Sequence, residues 1–86
     1  MAVQEQSDLI TKWIRPHPRR RGVEEARLVE PRIAVWALIG HLRTVDWDTA
    51  RTAAAYQIPP EAVEAALLYY RQHQAEIDAR LAANAV

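Results

Sequence analysis

The chain contains no cysteine, so neither a disulfide nor a thiolate metal site is available to it. Its only glycines are Gly22 and Gly40, which leaves no glycine-rich loop to cradle a phosphate. Its only serine, Ser7, lies in a segment read below as a flexible tail, poor ground for a nucleophile. The longest apolar runs, such as Ala65–Tyr70, fall far short of the ~20 residues that a membrane span requires. Met1–Leu9 carries Glu5 and Asp8 and no basic residue, so it does not read as a secretory signal. Formal net charge is zero, which removes bulk electrostatic steering toward nucleic acid. These absences point to a cytoplasmic protein that is not an enzyme, takes no cofactor and does not enter a membrane.

What is present is ordinary globular composition, 50% hydrophobic and 26% charged. With 86 residues there is room for one domain. A chain of that size buries only ~60–65% of its unfolded surface, so a second subunit would help, and a homodimer is expected. The charge is unevenly placed. Lys12, Arg15, Arg19, Arg20, Arg21, Arg27 and Arg32 crowd the first third, and most acids after Pro31 lie in the second half.

Residues 1–8 read as the tail and residues 9–34 as a β-hairpin or wing. Leu9–Arg15 mixes Ile10, Trp13 and Ile14 with polar residues and stops at Pro16, which suits a short strand. His17–Gly22 reads as a loop. Ala26–Ile33 reads as the pairing strand, with Pro31 arguing for an edge or a bulge.

From residue 35 to 86 the pattern is helical. Val35, Leu38, Ile39 and Leu42 fall at i, i+3, i+4 and i+7, one face of a helix. Asp46 is a candidate N-cap for a second helix, Trp47–Tyr56, whose Ala50, Ala53 and Ala54 allow close packing. Gln57–Ile58 forms a turn, and Pro59 and Pro60 suit a helix start, where a missing N–H is harmless. No breaker follows. Val63, Leu67, Tyr70, Gln74, Ile77 and Leu81 continue a heptad-like stripe, which predicts one helix of about 25 residues, ~37 Å long. Its last half, 72–84, is expected to project. The fold class is mainly α: a helix-turn-helix three-helix core with a long C-terminal helix and a short N-terminal β-hairpin.

A helix-turn-helix suggests DNA, read by the N-terminal end of its last helix. Here that end offers Pro60, Glu61, Ala62, Glu64 and Ala65, with no donor for a base edge and two charges of the wrong sign. The DNA candidates are instead Arg19, Arg20 and Arg21 as a wing, with Arg51 and Gln57 on the backbone; the arginine triplet is equally a solvated loop tip. The partner candidates are Tyr70, Gln74, Ile77 and Leu81 on the projecting helix, since an exposed apolar stripe marks a groove or a dimer seam. Trp13, and Trp36 off the main face of the first helix, are each either core or an interface anchor. His73 and Glu76 at i, i+3 could share a metal, though a solvated polar pair is the plainer reading.

Three stretches carry a family resemblance. Ala26–Leu38, with Arg32-Ile33-Ala34-Val35-Trp36-Ala37-Leu38 at its end, resembles the Arg-Ile-x-Gly-Thr-Arg-Ile-x-Val-Trp-x-Leu signature of the domain-of-unknown-function 433 family. Ile58–Tyr70 resembles that family's Leu-Thr-x-Glu segment followed by paired aromatics, and His73–Leu81 resembles its ending. The likeness spans most of the chain. Glu30-Pro31 replaces the usual Gly-Thr, and an arginine-rich loop replaces a glycine-rich hairpin. The resemblance implies a helix-turn-helix-like fold and a VapB-type antitoxin role. Such a protein silences a PIN-like ribonuclease toxin, and a dimer of it binds operator DNA.

Overall fold

In the computed structural model, residues 2–84 are described, with side chains from Asp8 onward. Leu9, Ile10 and Trp13 fall one, three and four apart, a helical spacing as much as a mixed strand. They form the inner face of α1 (Ala2–Trp13), so a helix stands where the sequence suggests a tail and then a strand. Only Ile14–Arg15 is extended, as β1. It pairs antiparallel with β2 (Arg27–Leu28), Ile14 opposite Leu28 and Arg15 opposite Arg27. The strand expected over 26–33 is therefore cut to two residues, and β2 ends before Pro31, whose missing N–H cannot extend a ladder. Beyond it the chain doubles back. Leu28 N–H donates to Ile33 O at 2.8 Å, and Arg27 bridges to Ala34.

Helix α2 (Val35–Thr44) buries the four residues that the period picks out, Val35, Leu38, Ile39 and Leu42. Asp46 and Trp47 form the turn after it, both in the left-handed region at φ 58° and 62°. The next helix, α3 (Thr49–Tyr56), starts two residues later than expected. Its N-cap is Asp48, not Asp46, and the Asp48 carboxylate accepts the Arg51 N–H at 3.0 Å. Gln57 closes α3 in the left-handed conformation. Helix α4 (Pro60–Gln72) opens at the two prolines as anticipated.

α4 is the centre of the molecule. Ala62, Ala65 and Ala66 are fully buried and let α1, α2 and α3 come close, while Val63 and Tyr70 fill the space between them. At its first turn Glu61 accepts from Lys12 Nζ and Trp13 Nε1, each at 2.8 Å, which fixes α1 across the start of α4.

The long C-terminal helix does not project. It breaks at His73 (φ −133°, ψ 39°), and α5 (Gln74–Asn84) folds back onto α2. Continuing the helix would leave Ile77 and Leu81 in water. Folding back buries Ile77 completely, a gain of ~1.5–3 kcal/mol. The break forfeits little, because His73 N–H still reaches the Tyr69 and Tyr70 carbonyls and Ile77 N–H reaches His73 O. Leu81 packs over Gly40, where an added Cβ would lie 3.2 Å from the leucine methyl. A polar clasp holds the return in place. Tyr70 Oη donates to Asp78 Oδ1 at 2.7 Å, and Arg43 donates to both Tyr70 Oη and Asp78. The radius of gyration, 12.1 Å, matches the ~12 Å of a compact chain of this length and leaves no room for a projecting arm.

Ile77→Ala should cost about 2–5 kcal/mol in urea unfolding, and Tyr70→Phe about 1 kcal/mol, because the first empties a core site and the second breaks the clasp. An Ile77→Ala cost near zero would mean that α5 is not packed in solution.

The Lys12 ammonium, and after it the Trp13 indole N–H, hold the Glu61 carboxyl below the usual 4.5. A depressed carboxyl contributes stability above its unfolded value and loses it as pH falls through the folded one. The Trp13 indole N–H resonance should accordingly titrate with a midpoint below 4.5. A midpoint at or above that value would mean that α1 is not clamped to α4.

Candidate arginine-rimmed binding face

The segment between β1 and β2 is ordered from within. His17 Nδ1 accepts the backbone N–H groups of Arg19 and Arg20, both at 3.0 Å. With Nδ1 accepting, the neutral ring carries its proton on Nε2, free to donate outward. Gly22 sits at φ 108°, a left-handed conformation that strains any residue with a Cβ, and the Glu24 carboxylate lies against the space a Cβ would take. The turn continues into a 3-10 segment, Val23–Glu25. Tyr69 of α4 donates its hydroxyl to Val23 O at 2.8 Å and ties the segment to the core. Burial, and after it the charges of Glu24 and Glu76, push the Tyr69 hydroxyl pKa up, so it stays protonated and keeps donating.

Two neighbouring clefts open on this face, and His17 and Arg20 border both. The larger, of about 500 Å³, has an apolar floor of Ile10, Ile14, Val23, Ala26 and Tyr69, with Arg15, Arg20 and Arg21 around it. The smaller, of about 210 Å³, is lined by Arg20, Arg27, Arg32, Arg80, Trp36 and Glu25. Four guanidiniums there face one carboxylate. Arg80 takes most of that carboxylate, with Nε 2.8 Å from Glu25 Oε1, and also lies 4.3 Å from the centre of the Trp36 ring. Arg20 reaches Glu25 only at 3.8 Å. Among the described residues, Arg27 and Arg32 have no side-chain ion pair or hydrogen bond.

The candidates read from sequence divide sharply. Arg19, Arg20 and Arg21 are exposed, and Arg20 and Arg21 border the clefts. Arg51 and Gln57 are exposed on α3 and its cap but border neither cleft. The proposed partner stripe does not exist as a surface. Ile77 and Tyr70 are buried, Leu81 is half-buried against the core, and only Gln74 is exposed. Trp13 is half-buried and holds Glu61. At the reading end of the helix-turn-helix, Lys12 and Trp13 of α1 engage Glu61, and the residues left exposed, Pro60, Glu61 and Glu64, offer no donor for a base edge. His73 packs its ring 4.5 Å from that of Tyr69. Among the described residues no group of three or more His, Asp or Glu side chains could hold a metal ion.

Sequence reasoning noted Arg27 and Arg32 as part of a basic third but did not place them in a site. It singles out neither Arg80 nor Glu25, whereas Trp36, off the main face of its helix, reads with Trp13 as either core or an interface anchor; it lines the smaller cleft. The available signal was the pairing of 14–15 with 27–28, which brings the arginine loop beside Arg27, and the return of α5, which delivers Arg80. Among the described residues no helix is long and apolar enough to cross a membrane. Comparisons with protein-family models, with curated proteins and with solved structures found no match for this chain.

Proposed function

We propose that the chain is a non-catalytic binding protein of the antitoxin kind, which docks on and silences a PIN-like ribonuclease through its arginine-rimmed face. The observation that carries the docking surface is the smaller cleft, where Arg20, Arg27 and Arg32 meet with one acid among them, already engaged by Arg80. Guanidiniums in this state are under-used donors. They form strong bidentate bonds to carboxylates, and desolvating them against a partner strengthens those bonds. The motif resemblance over 26–38 and 58–70 supports the antitoxin assignment. The seam that the heptad-like stripe would give a homodimer is internal at Ile77, and among the described residues the large apolar side chains left exposed, Val29 and Trp47, are scattered singly.

Co-expression with the product of the neighbouring gene should yield a complex that survives gel filtration. The double variant R27E/R32E should abolish it while leaving the unfolding free energy of the free chain, from urea titration, within ~0.5 kcal/mol of wild type. Absence of any complex, or a variant complex of undiminished stability, would remove this reading.

Operator DNA is the second reading, favoured by the exposed run Arg19-Arg20-Arg21. It then proceeds through phosphates and not through α4. A contact with about five phosphates gives a log–log salt slope of about −4.5. The R19A/R20A/R21A variant should flatten that slope by nearly three counterions, and R51A should leave it unchanged. Binding that ignores salt, or is absent, rules this reading out.

A further inference from the structure

We infer that the segment recognised by this face is a peptide stretch pairing one large apolar side chain with two or more nearby carboxylates. The inference rests on reading the face as a protein-docking surface. It adds the chemistry of the partner segment.

The two clefts are contiguous in the sense that matters for a short peptide, because His17 and Arg20 form a wall of each. A chain lying across that wall presents successive side chains to both sides. On one side the floor of Ile10, Ile14, Val23, Ala26 and Tyr69 offers no free polar donor, since the Tyr69 hydroxyl is already committed to Val23 O. A volume of about 500 Å³ accepts a leucine, phenylalanine or tryptophan side chain with room for its neighbours. On the other side the groups left to recognise a ligand are donors: His17 Nε2–H, the guanidiniums of Arg27 and Arg32, which have no side-chain partner among the described residues, and that of Arg20, whose contact with Glu25 is a long 3.8 Å. Guanidiniums donate only, so the basic cleft selects acceptors and rejects cations. Carboxylates satisfy it best among peptide groups, with the planar two-point geometry that a guanidinium matches.

Nucleic acid fits the same surface less well. Phosphates would meet the arginines, but a phosphodiester chain has nothing to fill the larger apolar cleft. Base stacking is the usual substitute, and the rings at hand are partly covered: Arg80 lies over Trp36 and His73 lies against Tyr69. Charge complementarity and the apolar floor together therefore favour an acidic, singly anchored peptide.

Selection of random seven-residue displayed peptides on the full chain, at 0.15 M salt, tests the inference. Enriched sequences should join an aliphatic or aromatic residue to at least two Asp or Glu within about four positions. The most enriched peptide, made synthetically, should bind R27E/R32E about ten-fold or more weakly than wild type. It should also bind Val23→Asp more weakly, with circular dichroism confirming that both variants fold. Hexaglutamate, which has the charge without the anchor, should bind at least about ten-fold more weakly than that peptide. Enrichment of neutral or basic sequences, no enrichment at all, or equal binding to the arginine variant would overturn it. The outcomes separate from those of the toxin experiment. A toxin complex without acidic-apolar selection defeats this inference alone. Selection without a toxin complex defeats the antitoxin reading and leaves the peptide chemistry standing.

Discussion

Complete burial of Ile77 is the constraint on which the remaining architecture depends. It requires α5 to turn back at His73 and lie on α2, and that return is what the Tyr70–Asp78–Arg43 clasp secures. A small domain has few ways to cover its central helix. Here α4 is enclosed by α1, α2, α3 and α5 together, and its alanines permit the close approach. The same return carries Arg80 to Glu25 and Trp36, so the packing of the C-terminal helix also builds one wall of the basic cleft. Core and candidate site are linked through a single helix.

The enclosure also accounts for what the helix-turn-helix does not do. Helix, turn and helix are present over 49–72, but the first turn of α4 is held by Lys12 and Trp13 through Glu61. Its outward residues are acidic or proline. The motif serves packing. Surface chemistry has moved to the segment between the two short strands, where His17 and Gly22 shape a turn that displays arginine.

The helices α2, α3 and α4 were legible because their signals are local: a 3.6-residue period, an Asp cap and paired prolines. The cap was misplaced because Asp46 and Asp48 are equally good side chains, and only the left-handed turn at 46–47 chooses between them. α1 was misread because Leu9, Ile10, Trp13 and Ile14 satisfy two periods, and contact with α4 decides. The break at His73 has no glycine or proline to announce it; burial of Ile77 outweighs the local preference for a continuous helix. Of the site, the arginine triplet was visible as a charge run. The cleft was not, because its walls come from β2, α2 and α5, and their meeting is a tertiary fact.

Hydrogen exchange on the chain alone and in complex with the neighbouring gene product tests the central claim most directly. In the free chain the amides around Ile77 should exchange only with global unfolding, as core amides do. In the complex, new protection should concentrate in residues 15–32, with little change over 74–84. Fast exchange across 74–84 in the free chain, replaced by strong protection there in the complex, would show instead that the C-terminal helix is the docking element and contradict the account.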